Sequence, residues 1–132
     1  MDIQSNSHYI RVSPRKLGLL VTGIKKMSPL QAVETLTYLN KSGAAPLRKA
    51  ITSALSNAQN RNLGNPEALQ FKHISILPGS AMKRFRPVSR GMAHSYKKRM
   101  SHIKIVLTTK EKIIEKEIQK PVIQEEKTKK IK

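Results

Sequence analysis

No acidic residue occurs between Glu67 and Glu111, and the middle of that interval, residues 82–101, carries seven Lys or Arg. The run lies between two segments with a strand period, 69–77 and 102–108, so it reads as one long, positively charged hairpin standing out from a small body. Ordering about 20 residues costs on the order of 1–2 kcal/mol each in backbone entropy, and seven like charges add repulsion. The scattered apolar residues of the run (Met82, Phe85, Val88, Met92, Tyr96 and Met100) cannot offset this by packing on one another, because an isolated two-stranded ribbon is marginal in water. Order must come from a partner, and the charge calls for phosphate.

A chain of 132 residues reads as one domain with a small core. The net charge of +18 is uneven: residues 1–110 hold 19 Lys or Arg against Asp2, Glu34 and Glu67, while residues 111–132 hold seven against five acids. A body at +16 selects polyanionic partners, with nucleic acid ahead of an anionic membrane. No apolar run approaches the roughly 20 residues that span a bilayer, and no basic n-region with an apolar h-region opens the sequence. No membrane partner is expected; the location is cytoplasmic, or an organellar matrix for a protein of organellar origin. Without Cys there is no disulfide framework or thiolate site, and His8, His73, His94 and His102 lack the spacing of metal ligands, so neither metal nor cofactor is expected. No carboxylate pair or Ser/His/Asp set is present to carry catalysis, and an enzyme is not expected.

Residues 7–12 read as a short edge strand leading into Ser13-Pro14-Arg15-Lys16, where Ser13 suits an N-cap and Pro14 the first helical position. Leu17, Leu20, Val21 and Ile24 then recur at helical spacing, giving a helix over 14–24. Ser28-Pro29 repeats the device for a second helix with Leu30, Val33 and Leu36 inward. A third, over 45–62, carries the stripe Leu47, Ala50, Ile51, Ala54, Leu55 and Ala58, whose small residues permit close approach. From Leu69 the period turns to two, loosely, and it returns in Ile103, Ile105 and Leu107. Pro87 and Ser89-Arg90-Gly91 mark the turn, and residues 77–88 at roughly 3.3 Å each would carry the tip some 40 Å from the body. The fold class is therefore α+β, with a body over 1–108 that includes the hairpin 78–101. The charged tail over 109–132, with a short helix open at 111–119 before Pro121, reads as disordered or ordered by a partner.

On the hairpin, Arg84, Arg86, Arg90 and Arg99 can pair with phosphates bidentately or stack in plane, while Phe85 and Tyr96 can stack on splayed bases. Phe85 reads equally as a ribbon residue packed on the opposite strand. Lys83, Lys97, Lys98 and His102 extend the same basic surface. Arg11, Arg15 and Lys16 form a second cluster at a helix N-terminus, which adds its own positive dipole end. Arg48, Lys49, Asn57, Asn60 and Arg61 on the third helix read either as a further contact or as a plain solvated face.

The motifs Ser13-Pro14-Arg15-Lys16, Leu36-Thr37-Tyr38-Leu39-Asn40-Lys41 and Ser53-Ala54-Leu55-Ser56-Asn57-Ala58, with Met82-Lys83-Arg84, Pro87, Arg90-Gly91, Ala93 and Lys98-Arg99-Met100-Ser101-His102-Ile103, resemble the universal large-subunit ribosomal protein twenty-two family over residues 7–108. The resemblance implies three helices on a three-stranded antiparallel sheet, resting on large-subunit ribosomal RNA near the outside of the polypeptide exit tunnel. It further implies a part in subunit assembly and a hairpin threaded between RNA segments. Its tip (Pro87, Val88, Ser89, Arg90, Gly91 and Met92) would line the tunnel opposite ribosomal protein four, facing the nascent polypeptide. Where many members carry further basic residues this chain has Val88, Met92 and Ser95, which leaves Arg86 and Arg90 as the main tip cations. The alternative is a free-standing RNA-binding module, such as a chaperone or regulator. Such a module should be self-sufficiently folded, whereas a ribosomal component can leave its longest element unordered until assembly.

Overall fold

Three antiparallel strands in the order β1-β3-β2 form one sheet, and the computed structural model describes residues 2–61 and 66–109 of the chain. In sequence these are β1 (Ile3–Ile10), helices α1 (Pro14–Ile24), α2 (Pro29–Tyr38) and α3 (Ala44–Asn60), a short 3-10 turn at Pro66–Ala68, then β2 (Leu69–Pro87) and β3 (Ala93–Thr109). The middle position falls to the strand with the densest apolar run: Ile103, Ile105, Val106 and Leu107 are all buried, and β3 pairs with β1 on one side and β2 on the other. The helices cover the sheet through Leu17, Val21, Ile24, Ala32 and Leu36, and through the full expected stripe of α3.

Local chemistry sets the helix starts. Ser28 opens α2 with a reciprocal box, its hydroxyl accepting from the Gln31 N–H and its own N–H donating to Gln31 Oε1, each at 3.4 Å. Ser13 occupies the N-cap position of α1, but its hydroxyl makes no capping bond; its carbonyl instead accepts from the N–H of Lys16 at 3.1 Å. In α2 the deeply buried positions are Pro29, Ala32 and Leu36, while Leu30 and Val33 pack at the margin of the core.

Several expectations need correction. Strand β1 starts at Ile3, four residues before the expected edge strand, because Ile3 and the small Ser5 both point into the core opposite Leu107 and Ile105. It ends in a register shift between Ser7 and Ile10, so residues 11–12 lie beyond it. The loose alternation of 69–77 has a cause: the register shifts between Phe71 and His73, which places Leu69 and Ile74 both on the buried face despite their odd spacing. Met100 does not belong to the exposed ribbon but is buried at its root. Leu77 and Pro78 still lie on the sheet, paired with His102 and Ser101, and the free ribbon starts only after a second shift between Pro78 and Ala81. Its seven ladder pairs, from Ala81–Arg99 to Pro87–Ala93, project roughly 20–25 Å rather than 40 Å. Thr109 belongs to β3, paired with Leu69, and the tail expectations over 110–132, including the helix at 111–119, lie outside the described residues.

Candidate nucleic-acid interface

Cross-strand partners share a face of the ribbon, so the register sorts its cations. Lys83 stands directly opposite Lys97 on one face, with Phe85 opposite Ser95 and Arg99 opposite Ala81 alongside. The other face carries Met82 opposite Lys98, Arg84 opposite Tyr96 and Arg86 opposite His94. Lys83, Arg84, Arg86, Lys97, Lys98 and Arg99 are all exposed. Phe85 is 73% exposed, which decides between its two readings: it does not pack on the opposite strand. With Lys83, Ser95, Tyr96, Lys97 and Arg99 it lines a shallow depression. Among the described residues no acid stands within ion-pair reach of the ribbon, and the ion pair that forms, Lys72 with Asp2, lies on the body.

The turn is a short 3-10 segment, Ser89–Gly91, closed by the Val88 N–H donating to Met92 O at 2.8 Å. Arg90 and Gly91 both take positive φ, 59° and 70°. At Gly91 the absence of a Cβ makes that conformation cheap; Arg90 holds it at a cost, and its side chain is exposed in the turn. Pro87, Val88, Ser89 and Met92 flank it in sequence, all exposed, so the turn carries one cation among uncharged residues, with Arg86 one step below.

The structure brings the α1 cluster and the ribbon root together. Ile10 pairs with Ser101, and the fully buried Ser101 hydroxyl donates to Val12 O at 2.8 Å, clamping the segment that carries Arg11 against the base of the ribbon. Arg11, Arg15 and Lys16 are exposed there, and the first turn of α1 holds no acid. Cations at the positive end of a helix are unfavourably placed unless an anion sits between them. His102, expected on the basic surface, is half-buried; its Nδ1 accepts the Tyr9 N–H at 3.0 Å and its ring packs edge-on against Tyr9 and His8.

On α3, Arg48 is exposed and Asn57 half-buried, and both bond to other elements of the protein. Arg48 donates to Thr37 Oγ1 at 3.4 Å, tying α3 to α2, and the Asn57 amide donates to Gln4 O at 3.2 Å, tying α3 to β1. Lys49, Asn60 and Arg61 remain exposed. The residue missed from sequence is Tyr9, 64% exposed in a positive-φ conformation at the β1 register shift. Only the run of aromatic and imidazole residues at His8-Tyr9 hinted at it.

A family model described as ribosomal protein L22p/L17e matches residues 5–108. Large ribosomal subunit protein uL22 of Mycoplasma mycoides subsp. mycoides SC is 40% identical over 108 residues, which is 82% of this chain and 97% of that protein. The protein of the same description from Desulfosudis oleivorans is 36% identical over 109 residues, covering 83% and 95%, and that from Bdellovibrio bacteriovorus is 36% identical over 110 residues, covering 83% and 100%.

Proposed function

The chain belongs to the ribosomal protein L22p/L17e family, and from that premise we propose that it is a structural constituent of the large subunit of the cytoplasmic ribosome, holding ribosomal RNA with its ribbon and with the N-terminus of α1. The observation that carries the RNA part is Lys83 directly opposite Lys97 on an exposed two-stranded ribbon. Like charges in that position destabilise the ladder, and no described acid relieves them. A phosphate between the two ammonium groups turns repulsion into a bridge. Arg84, Arg86 and Lys98 repeat the demand on the opposite face, so the ribbon takes RNA on both sides, as a segment threaded between strands of RNA does. Arg11, Arg15 and Lys16 anchor the body at the root, where Ile10 pairs with Ser101 and the Ser101 hydroxyl holds Val12.

The tip has a different task. Its single cation and uncharged neighbours suit a surface left open, and we assign Pro87, Val88, Ser89, Arg90, Gly91 and Met92 to the wall of the polypeptide exit tunnel, opposite ribosomal protein four and facing the nascent polypeptide. The role is structural and not catalytic, in keeping with the family.

Sedimentation of a lysate through gradients at low and high salt tests the reading. The protein is expected with the large subunit at low salt, with Lys83→Ala and Arg84→Ala shifting it toward the top. A wild-type chain that stays at the top of the low-salt gradient refutes the ribosomal reading.

A further inference from the structure

We propose that Tyr9, packed against His102 and next to His8 at the bulge of β1, is a stacking platform for one unpaired nucleobase, distinct from the phosphate contacts of the ribbon. The proposal rests on the reading above that the chain binds RNA, and it names a contact that charge does not supply.

The residue is built in an unusual way. Tyr9 takes a φ of 55°, a left-handed conformation that is uncommon for any residue with a Cβ and least expected of a large one. Such a conformation persists only where the surroundings over-determine it. They do so here: the Tyr9 N–H donates to His102 Nδ1 at 3.0 Å, and the His102 ring stands nearly perpendicular to the Tyr9 ring at 5.0 Å and 84°. The His8 ring packs on His102 as well, at 5.2 Å and 60°, and lies 6.3 Å from the Tyr9 ring. His102 is itself wedged over Gly79, where a Cβ would come within 3.0 Å of its Nε2. Its orientation is therefore fixed by β2 as well as by β1.

All this fixes a ring that buries little of itself. Tyr9 stays 64% exposed, so the arrangement does not serve the core. A rigid aromatic face held toward solvent, two residues from Arg11 and one clamped turn from Arg15 and Lys16, has the parts of a single-nucleotide site: a π-surface for the base and cations for its flanking phosphates. A base held in a continuous duplex stack has no free face to give, so the chemistry fits an unstacked base in a loop or bulge of the RNA.

The test uses the full chain with 13C-labelled tyrosine, titrated with a short oligoadenylate and with an abasic oligonucleotide of the same length and charge. The Tyr9 ring signals are expected to move upfield with the oligoadenylate and to stay in place with the abasic strand. Tyr9→Asn removes the ring while supplying a residue that accepts positive φ readily, so it should fold at least as well as the parent. It should lose about 5- to 150-fold in oligoadenylate affinity, the range found for one stacked base, and leave abasic binding unchanged; Tyr9→Phe should keep both. If both strands bind in a salt-sensitive way and the Tyr9 signals stay in place, the platform is wrong and the phosphate reading stands. If neither strand binds, both fall.

Discussion

Reversing one charge on the ribbon should strengthen the free protein and weaken its function. In Lys83→Glu the new carboxylate faces Lys97 directly across the ladder. Opposite charges in that arrangement contribute about 0.2–1 kcal/mol where like charges cost a similar amount, and the pair is exposed, so the lower part of the range is the safer one. The change from repulsion to attraction sums the two, about 0.4–2 kcal/mol, so amide exchange over 82–87 and 93–98 in the free protein should slow by roughly 2- to 30-fold, nearer the lower figure, since ~1.4 kcal/mol corresponds to a factor of ten. Against large-subunit ribosomal RNA the sign inverts. A hydrogen bond to a charged group contributes about 1.5–3 kcal/mol, so affinity should drop by roughly 10- to 150-fold, and the slope of log affinity against log salt should shrink by about 0.9 for the phosphate no longer neutralised. Lys97→Glu should do the same, and the double variant, again like against like, should lose the gain in exchange protection. A Lys83→Glu chain that binds RNA as tightly and with the wild-type slope would show that no phosphate lies between these residues.

Three other outcomes follow from the geometry. Ser101→Ala removes the buried hydroxyl that holds Val12 O, leaving that carbonyl without its partner; a loss of about 1–3 kcal/mol is expected, read as a drop of roughly 4–8 °C in melting temperature for each kcal/mol. If the ribbon and the α1 cluster together neutralise about six to ten phosphates, RNA affinity should fall by roughly 10³–10⁵ between about 50 and 200 mM salt, whereas a nearly flat dependence would make stacking or protein contacts the main source of affinity. Alanine at Arg84 or Arg99 on the stem should reduce incorporation into large subunits, while alanine at Arg90 or Met92 should leave the subunit profile intact and change readthrough of a stalling reporter; equal assembly defects from tip and stem would end the division between them.

The sequence carried the elements where one signal dominates. Pro14 and Pro29 at first helical positions placed α1 and α2, and the small-residue stripe of α3 appeared in full. The acid-free basic run gave the hairpin and its turn. What stayed hidden was irregularity. The shifts at Phe71/His73, Pro78/Ala81 and Ser7/Ile10 arise from how strands meet, and no single strand encodes its partner's register. For the same reason Lys83 and Lys97, fourteen residues apart, gave no sign of facing each other, and Arg11 gave none of lying against the ribbon root. Asn57 and Arg48 read as surface contacts as readily as solvated groups because a polar side chain that ties two elements of the fold together has the same composition as one that faces water. Tyr9 was missed because a positive φ in a non-glycine residue leaves no mark in the sequence.

The place of β3 in the sheet has a consequence for the order in which the molecule can be made. It is the last strand along the described chain and the middle strand in space, and Ile3 waits for Leu107. As synthesis proceeds from the N-terminus, α1, α2 and α3 have close neighbours in sequence with which to associate, whereas β1 and β2 share no ladder with each other and have no sheet to join. Pairings between such distant segments are slow to form, and until they do both strands offer open edges. The strand that completes the ribbon is thus the one that closes the body, so ribbon and sheet are finished by a single segment of chain.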